Sequence, residues 1–70
     1  MYPNLTNLRK QKHLTIENMS RIISKSPANY YKKEKGSVTM TVEEAILIAK
    51  FFHKSVEFLF SHEGNGTFLD

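Results

Sequence analysis

The chain has no cysteine, which removes disulfide frameworks and zinc–thiolate clusters from consideration and fits a reducing, intracellular setting. Glycine and proline are scarce, at three and two residues, and no Gly-rich phosphate loop is present. No apolar run approaches the roughly 20 residues a bilayer crossing needs. The stretch from Met1 to Leu14 is polar and interrupted by Pro3, unlike a signal peptide, so a soluble, unprocessed cytoplasmic protein without a membrane contact is expected. No segment sustains the alternation of a strand, and no turn pair joins two such runs. The serines lie in no nucleophile-elbow pattern, and His13, His53 and His62 show no paired metal-ligand spacing. Neither catalysis, a metal nor a cofactor has a visible carrier, and an enzyme is not expected.

What is present is a short chain with a lopsided charge. Seventy residues fit one domain, and a chain of that size buries only about 60% of the surface its unfolded form exposes, so the core is thin. The formal charge is +3, but residues 1–35 hold eight Lys/Arg against Glu17 and Glu34, whereas residues 36–70 hold Lys50 and Lys54 against five acidic groups. A basic first half attracts a polyanion, because each phosphate neutralised by Lys or Arg releases condensed counterions.

Helix-length segments follow one another with short start and stop signals and no repeat or linker. Leu5 and Leu8, with the aliphatic stem of Lys12, set a first helix over about 4–12. Thr15 offers an N-cap to a second over about 16–23, striped by Ile16, Met19, Ile22 and Ile23. Ser26-Pro27 starts a third, since the hydroxyl caps orphan amides and proline is tolerated at the first helical position; it runs to about Lys35 and stops at Gly36. Thr41 with Glu44 makes a capping box for a fourth over about 42–53, whose apolar face is read as Val42, Ala45, Ile46, Ala49 and Phe52. Ser55 caps a last short helix over about 56–61, presenting Val56, Leu59 and Phe60. The expected architecture is all-α: one five-helix domain over 1–61 and a polar, Gly-containing tail over 62–70.

The second and third helices are separated by only Ser24 and Lys25 before the Ser26 cap, the spacing in which one helix is held across another and offered to a major groove. From Leu5 to Phe60 the chain resembles the helix-turn-helix family of phage repressors, Cro proteins and related bacterial regulators (XRE-type). The resemblance rests on an ungapped register: Leu8-Arg9, Leu14-Thr15, Glu17, Met19, Ile23, Ser26, Tyr30, Glu34, Gly36, Ile48-Ala49-Lys50, Val56 and Leu59-Phe60. It implies a lambda-repressor-like bundle that binds double-stranded DNA with the third helix in the major groove. Pro27, Ala28 and Lys32 then fall at the reading positions, with Asn29 and Tyr31 alongside. Lys32 suits guanine O6/N7, Asn29 an adenine edge and Ala28 a thymine methyl, while Pro27 offers apolar contact alone. Phosphates fall to the helix starts near Thr15 and Ser26, with charge added by Lys10, Lys35 and Lys33. The resemblance also implies a partly buried ion pair between Arg9 and Glu34.

Against that pattern, Ile16 replaces a usual Gln, Lys25 and Lys33 stand where apolar residues are usual, and His13, Ser24 and His53 occupy turn positions usually held by Gly. One member of each aromatic pair is expected inward, Tyr30 and Phe52, leaving Tyr31 and Phe51 outside. Phe51, Phe58, Phe68 and Leu69 are more apolar surface than a small monomer keeps wet. A homodimer through the last helix and tail (Phe58, Phe68, Leu69) is therefore expected. The alternative is a protein-interaction module that keeps the scaffold and binds another regulator or a toxin partner through that surface.

Overall fold

The structure, a computed structural model, describes residues 2–61. Five helices follow in order: α1 (Pro3–Gln11), α2 (Ile16–Ile22), α3 (Pro27–Lys35), α4 (Val42–Phe52) and α5 (Val56–Leu59). Among the described residues there is no strand. The tail 62–70, with Phe68 and Leu69, lies outside the described residues.

Each start has a local cause. Pro3 opens α1 instead of interrupting the segment, because the first turn needs no amide from it. Thr15 accepts from the Asn18 amide at 3.0 Å while Asn18 Oδ1 accepts from the Thr15 amide at 2.9 Å, a reciprocal cap made with Asn in place of the usual acid. Thr41 and Glu44 form the expected box, the Thr41 amide donating to Glu44 Oε1 at 3.0 Å. Ser26 and Ser55 cap α3 and α5 through the amides of Asn29 and Phe58.

Three of the four inter-helix turns contain a residue other than glycine in the left-handed region: His13 (φ 60°), Ser24 (φ 58°) and His53 (φ 57°). Gly36 (φ 88°) ends α3. A Cβ in this region crowds the following carbonyl, so these turns carry strain that the packing around them imposes.

The core joins Leu5 and Leu8 of α1, Met19 and Ile23 from α2, Tyr30 of α3, Ile48, Ala49 and Phe52 of α4 and Leu59 of α5. Two expectations fail on the later helices. On α4 the inward residues are Ala45, Ile48, Ala49 and Phe52, whereas Val42 is 76% and Ile46 41% exposed. The run Ala45–Ala49 is wholly apolar, so several stripes fit it, and only the position of the neighbouring helices selects among them. On α5 Leu59 is buried, Phe60 half-buried and Val56 39% exposed. Lys12 likewise lies exposed just past α1. The Asn4 side chain donates to the Phe58 carbonyl at 2.8 Å and ties the first helix to the last.

Candidate nucleic-acid interface

Helix α3 packs against α2, and its buried inner face is Tyr30, Lys33 and Glu34, at the i, i+3, i+4 spacing that places side chains on one stripe. Two ion pairs hold that face. Arg9 Nε donates to Glu34 Oε1 at 3.0 Å and Arg9 Nη2 to Oε2 at 3.1 Å, with the Glu34 side chain fully buried and that of Arg9 13% exposed. Thr6 adds a bond to Oε2 at 2.9 Å, and Arg9 Nη1 reaches the Leu14 carbonyl, so one guanidinium links α1, the turn before α2 and α3.

Burial is the strongest single influence on Glu34 and opposes its charge. The bonds from Arg9 and Thr6 and the adjacent Tyr30 hydroxyl together outweigh it and hold the carboxyl below its usual 4.5. The Tyr30 hydroxyl lies beside that carboxylate without meeting hydrogen-bond geometry. Burial first and the Glu34 carboxylate second push its ionisation far above the usual 10.0.

The second pair is between Lys33 and Glu44. Lys33 Nζ stands 2.6 Å from both Glu44 oxygens, with each side chain 6% exposed. Lys33 is therefore withdrawn from any phosphate, contrary to the expectation, and its charge is consumed inside the protein. Burial again opposes the Glu44 charge, but the Lys33 bond and the Thr41 amide hold its carboxyl below 4.5. The signal was in the sequence: Lys33 falls on the stripe of Tyr30 and Glu34, and a charge at a buried position demands a partner.

The outer face of α3 is formed by Pro27, Ala28, Tyr31, Lys32 and Lys35, all exposed. Lys35 Nζ lies 5.4 Å from the Tyr31 ring centroid, so the two side chains share one side of the helix. Asn29 is half-buried, and its Oδ1 is enclosed without a partner. With one end of the amide enclosed, it does not present the donor and acceptor together, which is what bidentate reading of adenine requires. At the helix start Pro27 has no amide and the Asn29 amide is used by Ser26 Oγ, which leaves the Ala28 amide as the outward donor. Thr15, also exposed, caps α2.

Arg9 and Lys33 are neutralised in the interior, and Arg21 pairs with Glu17 on the surface at 2.9 Å. Lys10, Lys12, Lys25, Lys32 and Lys35 are the first-half cations without an ion-pair partner among the described residues. On the opposite side of the chain's charge balance, Phe51 and Phe58 are exposed, Lys54 Nζ lying 5.8 Å from the Phe58 ring. Among the described residues no cluster of His, Asp or Glu is arranged to hold a metal, and no helix is long and apolar enough to cross a membrane.

Two short helices joined by a tight turn, the second anchored inside and free outside, define a helix-turn-helix domain. A family model described as helix-turn-helix matches residues 5–59, and the chain belongs to that family, the XRE-type regulators that include phage repressors and Cro proteins. The family is one of DNA-binding regulator domains. No match is found among curated proteins or among solved structures.

Proposed function

We propose that the chain is a sequence-specific double-stranded DNA-binding regulator, a repressor of phage or bacterial type, that lays the outer face of α3 in the major groove. The observation that carries this reading is the division of α3: Tyr30, Lys33 and Glu34 are buried, while Pro27, Ala28, Tyr31, Lys32 and Lys35 stand exposed on a helix tied from behind by two ion pairs. Lys32 reads guanine, and Pro27 with Ala28 supplies apolar contact to a thymine methyl. Lys35, the Ala28 amide and the surroundings of the Thr15 and Ser26 caps hold phosphates and set the register. Asn29 contributes through the end of its amide that remains outward. Pairing of two copies through Phe58, exposed on α5, lets two α3 helices meet half-sites about 34 Å apart.

Fluorescence anisotropy of a mixed-sequence duplex across a salt series tests the reading. A log K against log salt slope of about −3 to −5, corresponding to roughly three to five phosphate contacts, is expected. Absence of binding at low salt overturns it in favour of the protein-interaction module. That second reading draws on the exposed Phe51 and Phe58 and on the loss of Lys33 from the surface.

A further inference from the structure

The exposed side chains of α3 offer donors and carbon but few acceptors. At about 100° per residue, Pro27, Tyr31, Lys35, Ala28 and Lys32 follow one another around an arc of about 140° on the side away from the core. Pro27 and Ala28 present only carbon. Lys32 and Lys35 end in ammonium groups, which donate and cannot accept. Asn29, beside the arc, has its Oδ1 enclosed, so the acceptor that the amino group of adenine or cytosine would need is withdrawn. Glu34, the carboxylate of this helix, is buried against Arg9. Among these side chains the Tyr31 hydroxyl is the one outward acceptor.

Tyr31 is the i+4 neighbour of Pro27 and the i+3 neighbour of Ala28, so the three adjoin on the helix surface. The ring is 49% exposed, and the Lys35 ammonium stands over it at 5.4 Å from one turn further on. That contact restricts the ring before any partner arrives, which lowers the ordering cost of binding. Pro27, Ala28 and Tyr31 thus form an apolar ledge beside the Lys32 donor.

We propose that this ledge selects sites by the C5-methyl groups of pyrimidines, with thymine as their source and Tyr31 as the residue that sets the preference. The inference rests on the DNA-binding reading above and names what that face selects. In the major groove adenine and cytosine are marked by amino donors, guanine by two acceptors, and thymine by one acceptor and a methyl. A face of donors and carbon matches guanine and thymine, whereas an amino group buried against it loses its partner. Lys32 serves the guanine acceptors, and the methyl falls to the ledge. A 5-methylcytosine carries the same methyl but also an amino donor, so it is the poorer source.

Fluorescence anisotropy on a duplex selected from a mixed-sequence pool tests it, with each thymine replaced in turn by deoxyuridine, which removes the methyl alone. Affinity should fall about fourfold for each methyl read, the ratio that burial of one methyl-sized group gives. At the same position 5-methylcytosine should bind about fourfold tighter than cytosine, with thymine the tightest of the four bases. In Tyr31→Ala the thymine-to-uracil ratio should drop toward one. Tyr31 and Ala28 are both exposed, so substituting them leaves the core intact. A selected site without thymine, a ratio of one at every thymine, or a ratio that survives in both Tyr31→Ala and Ala28→Gly overturns the inference while DNA binding stands. Tighter binding of 5-methylcytosine than of thymine overturns thymine as the source. No binding to any duplex at low salt overturns the DNA-binding reading itself, and this inference with it.

Discussion

Lys33 Nζ and the two carboxylate oxygens of Glu44 meet at 2.6 Å inside the protein, joining the helix proposed to read DNA to the start of α4. The same carboxylate accepts the Thr41 amide, so one side chain both caps α4 and fixes α3 against it. In the resembled family an apolar residue is usual at position 33. Here the contact is ionic, and it works only if both partners are present.

Lys33→Met alone should destabilise the domain, because it strands the Glu44 charge at a buried site, at a cost of up to about 3–5 kcal/mol. Adding Glu44→Gln, which keeps an acceptor for the Thr41 amide while removing the charge, should recover most of that loss. Thermal denaturation followed by circular dichroism compares the two variants, and a double variant no more stable than the single one would contradict this account.

Glu34→Ala should lower the melting temperature far more than Lys35→Ala. The first leaves the Arg9 guanidinium, only 13% exposed, without its partner, again a loss of about 3–5 kcal/mol. The second removes an exposed cation over the Tyr31 ring, which contributes about 0.5–1 kcal/mol. Equal shifts in a parallel melt would remove the Arg9–Glu34 pair as an anchor of α3.

Stability should fall with acid. Glu34 and Glu44 both titrate below 4.5 when folded, so each binds its proton more readily in the unfolded chain. Their contribution is fully present above about pH 4.5 and is lost as pH drops through the lower folded values. A melting-temperature profile between about pH 2.5 and 7 should bend downward there, and Glu44→Gln should flatten part of the bend.

His13→Gly, Ser24→Gly and His53→Gly should each stabilise the domain by roughly 0.5–1 kcal/mol, since glycine relieves the left-handed strain but loses more backbone freedom on folding. For a domain this size the melting temperature should rise by about 4–8 °C per kcal/mol. A fall at any of the three would show that its side chain contributes more than its strain costs.

Lys32→Ala should change the sequence that a selected duplex pool converges on, and Lys35→Ala should weaken all duplexes alike while flattening the salt slope by about one. Selection followed by anisotropy separates the two, and identical selected sites for the parent and Lys32→Ala would deny Lys32 a base contact. In the same preparation Phe58→Glu should shift the sedimentation profile toward monomer.

Helix order, caps and the helix-turn-helix register were legible in the linear chain because they depend on neighbours within four residues. Thr15, Ser26, Thr41 and Ser55 cap within that range, and Gly36 stops α3 by its own φ. The Arg9–Glu34 pair was legible through the family resemblance. What the chain alone did not decide is which of several apolar stripes faces inward on α4, and whether Lys33 points to solvent or to Glu44. Both depend on where residues far apart in sequence come to rest. Ile48 is buried and Ile46 exposed because α2 and α5 pack on one side of α4. Lys33 is interior because Glu44, on a different helix, is there to neutralise it. Local hydrogen bonds are set by the backbone's own period, whereas burial and charge pairing are set by the packing of the whole bundle, and only the tertiary structure contains that information.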